Sequence, residues 1–362
     1  MTEREQQIIA AISTNPLVSQ AQLAEKLGIS RSAIASHITN LTAKGIIEGR
    51  GYVIAADKFC VAIGGANMDI LGKPEHSFCS STSNPGFVSS SPGGVARNIA
   101  ENISRLGNKC YLIAAVGNDS HGQQLIEQSK SAGIDTSQML TLEGHSTSCY
   151  LSIVDDSGEM QVAIADMKIL EQLLPVHFKK QLPLLKQAKV IVLDTNLSTQ
   201  VLAYLFEQLP DAEFFVDTVS VAKATKVIPF LAQIHSLKPN LLEAETLCGM
   251  KIDGYDQLPQ LAKWFHQQGV KRLFISLGKD GVFYSDQNQQ QRIELTAHDV
   301  QNSNGAGDAM TAALVHCHMH EMYIHDSCLF ALAAANCAIA TQGTINSDFS
   351  ISTINNLLKD LT

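Results

Sequence analysis

Residues 302–310 read NSNGAGDAM. Two glycines bracket an alanine, an aspartate follows, and the residues beyond are helical in pattern. A Gly-Ala-Gly turn leaves backbone N–H groups unshielded by side chains. At a helix start those groups, with the positive end of the helix dipole, attract an anion. Asp308 would stand beside that place. Taken alone the stretch could equally be a capping turn, so its meaning depends on the rest of the chain.

From residue 58 onward, apolar strand-length runs alternate with amphipathic stretches. Strands are expected at 60–64, 111–116, 190–194, 213–217 and 272–276, and helices at 121–132 and 256–268. That alternation specifies a parallel sheet with helices on both faces. Ligands of such sheets sit beyond the carboxyl ends of the strands. Four further motifs fall there. AIGGANMDI runs from a strand into Gly64-Gly65, then Asn67 and Asp69. SPGGVARN puts Gly93-Gly94 at a helix start with Asn98 one turn in. LKPNLLEAE places Asn240 and Glu243 three residues apart. ISLGKDGVFY has Ser276, Gly278 and Gly281 at a strand end, a pattern that a plain hairpin also explains.

The order and spacing of these five motifs resemble the ribokinase-like (PfkB) carbohydrate and nucleoside kinase family, over about residues 58–358. The resemblance implies a three-layer α/β fold with a mainly parallel central sheet and a small β lid. It also implies ATP-dependent phosphoryl transfer, which asks a protein for positioning and charge stabilisation. Gly305, Ala306 and Gly307 would form the anion hole, and Asp308 would accept the proton of the substrate hydroxyl. Asn67 and Asp69 match the family's early substrate pair, Gly93 and Gly94 let the sugar approach backbone, and Asn98 bonds another hydroxyl. Asn240 and Glu243 match an N-x-x-E motif that organises Mg²⁺ and its waters, a donor set suited to a hard ion. Ser276, Gly278 and Gly281 match the nucleotide-binding segment. Asn336, in AAANCAIAT, matches the helix beside adenine and ribose, or is a polar packing residue. Segments near 72–92 and 146–166 would be the lid, excluding water from the reaction. One departure stands out: Asn302 replaces the acid that usually opens the last motif, which weakens any monovalent-cation site there.

The first 56 residues read differently. An apolar-periodic stretch stops at Asn15-Pro16, a second runs from Ser19 to Gly28, and a third from Ser30 to Gly45. IIEGRGYVIA then reads as two short strands. This resembles a winged helix-turn-helix of the bacterial repressor type. In that geometry the third helix enters the major groove. Arg31, Ser32, Ser36 and His37 would be its readers and Arg50 on the wing would meet phosphate. Five Lys/Arg and four Glu give this segment a balance of +1, against 21 basic and 31 acidic residues in the remainder. That is a thin charge for a DNA module. A homodimer would supply the missing contacts, and an assembly or regulatory module is the alternative.

The totals bound the class. The chain has 362 residues, 45% hydrophobic, with net charge −9, which excludes a general nucleic-acid binder. No apolar run approaches the length of a membrane span, and the charged N-terminus carries no secretion signature. Eight scattered cysteines without a CxxC pair read as cytoplasmic thiols. HCHMHEMYIHD offers His316, His318, His320 and His325; residues 316 and 320 share a helix face and could hold a metal, though helix-end histidines explain them as well.

The segments DTNLS (194–198) and FFVDTVSVAKATKV (214–227) look most like the pseudouridine kinase-like branch, which phosphorylates a ribose 5′-hydroxyl. Other nucleosides, and simple sugars such as ribose or fructose, remain alternatives. A different class also stays open: a transcription regulator whose kinase-like domain senses a ligand without turning it over.

Overall fold

The structure, a computed structural model, describes residues 1–15, 17–47, 58–157, 159–294, 305–341 and 343–361. Asn302 and the wing with Arg50 lie outside these described residues. The chain divides into two compact units, Met1–Asp57 and Lys58–Thr362.

The first unit holds α1 (Glu3–Thr14), α2 (Gln20–Leu27) and α3 (Arg31–Ala43). Thr2 and Ser19 cap the first two in reciprocal boxes with Glu5 and Gln22, and Ser30 caps the third. Gly28 ends α2 at φ 63°, the left-handed value that favours glycine. Ile8, Ile12, Leu23, Ile34 and Leu41 close a small core with no exposed surface. Lys44 pairs with Glu5 at 2.7 Å, tying the chain after α3 back to α1.

The second unit begins with β1 (Phe59–Ile63), β2 (Asn67–Pro74), β3 (Gly86–Gly93), α4 (Val95–Arg105), β4 (Lys109–Ile113), β5 (Ala115–Gly117), α5 (Ser120–Ser131), β6 (Leu140–Leu142), β7 (Cys149–Val154) and β8 (Met160–Asp166). It continues with α6 (Leu182–Leu185), β9 (Val190–Asp194), α7 (Thr199–Gln208), β10 (Phe214–Asp217), α8 (Val221–Ala224), β11 (Ile234–Lys238), α9 (Leu241–Cys248), α10 (Leu258–Gln267) and β12 (Arg272–Ser276). After β13 (Val282–Ser285) and β14 (Gln290–Ile293) come α11 (Ala306–Met319), α12 (Ile324–Ile339) and α13 (Ile351–Leu361).

Eight strands form the central sheet in the order β14-β13-β12-β11-β10-β9-β1-β4. The last six are parallel, and β13 and β14 add an antiparallel edge. The central strands β1, β9 and β10 are buried along their whole length and almost entirely apolar because both faces are covered. Alternation sends Cys60, Ala62, Val190 and Val192 to a core shared with α4, α11, α12 and α13. Val61, Ile63, Ile191 and Leu193 go to the opposite core, under α7, α9 and α10.

A second sheet, β3-β2-β7-β8, lies over the carboxyl edge of the first. One of its faces carries Asp69 and Tyr150, which are register partners. The other carries Ile70, Leu151, Ile164, Val88, Ile153 and Val162. Val88, Val162 and Ile164 are exposed there. Among the described residues no helix is long and apolar enough to cross a membrane.

Candidate active site

Parallel strands all point their carboxyl ends one way, and the polar residues that end them meet. Asp194 ends β9, Asp217 ends β10 and Lys238 ends β11, paired in one row of the sheet. With Gly65 after β1 and the starts of α4, α9 and α11, Asp217 and Lys238 border a cavity of about 550 Å³. It is lined by Asn67, Asp69, Gly94, Asn98, Asn240, Glu243, Ser276, Gly305, Gly307 and Asp308 among others. Thus residues from all five motifs, up to 243 positions apart in sequence (65 to 308), share one hollow.

Asp308 lies in the first turn of α11. The helix starts at Gly305, whose φ of 81° and whose contact with Thr344 leave no room for a side chain. Asn98 donates to Asp308 Oδ2 at 2.9 Å. Burial foremost, then the negative charges of Asp217 and Asp194, push the Asp308 carboxyl up to about 8, against the Asn98 bond and Lys238. A carboxylate tuned to this range matches its proton affinity to proton transfer near neutral pH.

The turn at Gly93-Gly94 is built for close approach. Gly94 has φ 99°, and a Cβ there would stand 2.5 Å from the Gly65 oxygen. A Cβ on Gly93 would collide with the Asp69 carboxylate. Asn67 Nδ2 donates to Asp69 Oδ1 at 2.6 Å, which leaves the other oxygen facing the glycines. Burial raises the Asp69 carboxyl above its ordinary range.

Asn240 and Glu243 form the capping box of α9 and face the cavity at once. Glu243 accepts from the Asn240 N–H at 2.9 Å, from its side-chain amide at 2.9 Å and from Thr218 Oγ1 at 2.6 Å. The carboxylate is therefore fixed before any ligand arrives. Gly278 and Gly281 shape a tight turn that joins β12 to antiparallel β13, so the hairpin reading describes the local backbone. Of that motif only Ser276 lines the cavity. Asn336 lies in α12, buried, with neither amide atom hydrogen-bonded among the described residues.

Sequence reasoning missed several residues here. Asp194 is fully buried and accepts from the N–H groups of Gly65 (2.8 Å), Ala96 (3.0 Å) and Asn196 (2.9 Å). It clamps the first glycine turn to the start of α4. Lys238 pairs with Asp217 at 3.1 Å, and Thr311 Oγ1 donates to the same Asp217 oxygen at 3.0 Å. Lys238 Nζ reaches the surface of Gly307, where a Cβ would stand 3.3 Å from it. Arg97 is buried beside Asn98 and paired with Glu101. Val219 holds φ 59°, costly for a β-branched residue, on the cavity wall. Polar residues closing apolar strands (LD at 193–194, VD at 216–217) were the available signal.

In the first unit Arg31, Ser32 and Ser36 are exposed on α3 and His37 is half-buried. His316 and His320 do not stand as an open pair: Asn108 donates to His316 Nδ1 at 2.7 Å and accepts from His320 Nε2 at 3.1 Å.

Comparison with known proteins agrees with this architecture. Residues 57–350 match the model of the pfkB family carbohydrate kinases, and residues 1–48 that of a winged helix-turn-helix DNA-binding family. The chain is 41% identical over 303 residues to the pseudouridine kinase of Escherichia coli (strain K12), covering 83% of this chain and 97% of that protein. It is 38% identical over 347 residues to the sugar kinase YeiI of the same organism, covering 96% of each. The structure of an Arabidopsis thaliana ribokinase complexed with ribose and ATP superposes with a TM-score of 0.74, covering 84% of this chain and 99% of that one. At 21% identity that likeness speaks for the fold.

Proposed function

We propose that this chain, which belongs to the pfkB family of carbohydrate kinases and is an ATP-dependent sugar or nucleoside kinase, phosphorylates the 5′-hydroxyl of a nucleoside, pseudouridine foremost. The observation that carries this reading is the meeting of Asp308 with Asn98, Asn67 and Asp69 at the mouth of α11. The identity to a pseudouridine kinase supports the choice of nucleoside.

In this reading Asn67, Asp69 and Asn98 hold the ribose hydroxyls over the Gly93-Gly94 backbone. Asp308 takes the 5′-hydroxyl proton as that oxygen attacks. The N–H groups of Gly305, Ala306 and Gly307 face the charge that builds on the transferring group. The donor set fits a magnesium nucleotide: Glu243 and Asn240 present hard oxygens to the cavity, fixed in place and free to hold the ion through water. When bound, MgATP supplies the phosphoryl group. Ser276 and the 278–281 turn would meet the nucleotide, with Asn336 behind them. The lid face with Asp69 and Tyr150 keeps water away.

The same reading makes the first unit a DNA-binding module, with Arg31, Ser32, Ser36 and His37 toward base edges and Arg50 toward phosphate. It makes the protein a homodimer, for which the lid's exposed Val88, Val162 and Ile164 offer an apolar face. A single-chain mass in sedimentation would remove that element.

The test is ATP consumption with Mg²⁺ against pseudouridine, uridine, inosine, cytidine, adenosine, ribose and fructose. Turnover should be fastest with pseudouridine. Asp308→Asn should lower kcat by roughly 10²–10⁴-fold and largely keep nucleoside binding. Preference for a free sugar would overturn the nucleoside assignment, and normal turnover in the variant would overturn the base.

A further inference from the structure

At the end of the central sheet opposite the cavity, three side chains from three elements converge. Glu213 immediately precedes β10, His235 is the second residue of β11, and His318 is in the last turn of α11. His318 Nε2 donates to Glu213 Oε2 at 2.9 Å, and His235 Nε2 lies 4.0 Å from Glu213 Oε1. One donor atom from each of the three lies within 4.8 Å of the other two. The Phe215 ring packs against both imidazoles, at 5.6 and 5.1 Å, and limits their movement. Glu213 also borders an open cleft of about 680 Å³ between residues 185–189 and 208–213.

We propose that Glu213, His235 and His318 form a binding site for a borderline-soft divalent metal ion of the Zn²⁺ class, with water from the cleft completing the coordination. Zinc bonds to nitrogen and carboxylate oxygen are about 2.0–2.2 Å, which sets donors of a tetrahedron roughly 3.3 Å apart. The 2.9 and 4.0 Å separations are to different oxygens of Glu213, and the three ligand atoms lie within 4.8 Å of one another, so side-chain rotations would have to draw them in around the ion. Two imidazoles and one carboxylate favour zinc over magnesium. His235 Nδ1 is engaged by Ser236 Oγ at 2.9 Å, which turns Nε2 toward Glu213.

Three cations oppose the ion: Lys271 is exposed to solvent, and the other two each have a way out. Lys189 lies 3.3 Å from Glu213 Oε2, but its side chain is 35% exposed and can swing into the cleft. Arg272 donates to His318 Nδ1 at 3.2 Å. The ion takes the place of the Nε2 proton of His318. That proton moves to Nδ1, none is released, and the Arg272 contact opens. Arg272 is therefore expected to weaken the site. A bound ion would pin the C-terminal end of α11, the helix that begins beside Asp308, to β10 and β11.

The experiment is a Co²⁺ titration of the full, tag-free chain without nucleotide, read by the visible d–d bands of tetrahedral cobalt, with Zn²⁺ as competitor and the melting temperature as a second readout. One saturable equivalent, displaced by Zn²⁺, is expected. His235→Ala and His318→Ala should each weaken it at least as much as the about 10–100-fold lost with an outer-shell partner. His320→Ala, on the same helix, should leave it unchanged, and Arg272→Met should tighten it. No saturable band, a thiolate charge-transfer band, or unchanged binding in His235→Ala would overturn the proposal. Should a variant fail to fold, the wild-type titration and the Zn²⁺ shift in melting temperature still decide.

Discussion

At the scale of the residue, Asp308 concentrates the electrostatics of the cavity. Its carboxyl is raised by burial and by Asp217 and Asp194, and lowered by Asn98 and Lys238. A general base acts only when deprotonated, so activity must rise as pH passes through its pKa. For the free protein the acidic limb of kcat/KM should therefore lie near pH 8, well above an ordinary carboxylate. Asp217→Asn removes a raising charge and leaves Lys238 closer to Asp308 alone. The limb should then move to lower pH, read from kcat/KM profiles of both proteins. A limb that stays where it was would break the assignment of Asp308 to it. Asp308 itself was legible, because a carboxylate after Gly-Ala-Gly at a helix start is a local pattern. Asp194, Asp217 and Lys238 were not. Each is one polar residue closing an apolar strand, and its role depends on which strands become neighbours, which only the sheet order decides.

At the scale of the element, caps and apolar periodicity made most boundaries readable. Ser19, Gly28 and Ser30 act locally on α2 and α3, so their meaning survives without the rest of the fold. The same local logic leaves the 278–281 turn ambiguous, because a hairpin and a nucleotide loop ask for the same glycines. Neither β5 nor β6 was anticipated as a separate pair: three residues each are too few to show a period. Two glycines now separate conformation from contact. Gly278 has φ 62° with open space around it, whereas Gly305 has φ 81° with the Thr344 oxygen 2.2 Å from any added Cβ. Gly278→Ala should cost only the left-handed penalty, about 1–2 kcal/mol, with any effect on turnover falling in the KM for ATP, because the 278–281 turn would meet the nucleotide. Gly305→Ala must also displace the start of α11, so both the melting temperature and kcat should fall further. Equal losses in the two variants would mean that the α11 turn is not a fitted cradle.

At the scale of the whole molecule, the charge asymmetry seen in the sequence survives as two units, one near neutral and one strongly acidic. The sequence suggests a boundary near residue 56 because the helical module and the alternating strands differ in period. It could not say whether the units communicate, since coupling is a difference between states of the molecule. On the proposed reading of the first unit as a DNA-binding module, nucleoside in the cavity should change the affinity of that unit for an operator. Such couplings are typically about 1–3 kcal/mol, or roughly 5–150-fold. The operator would first be selected from random duplex DNA. Fluorescence anisotropy would then give its Kd with and without saturating pseudouridine, using Asp308→Asn without ATP so that nothing turns over. Linkage requires the reciprocal experiment to agree: operator DNA must change the nucleoside Kd by the same factor, at one salt concentration, because phosphate contacts make DNA affinity salt-dependent. Equal operator affinities in both states would leave a kinase and a helix-turn-helix unit that share a chain and act independently.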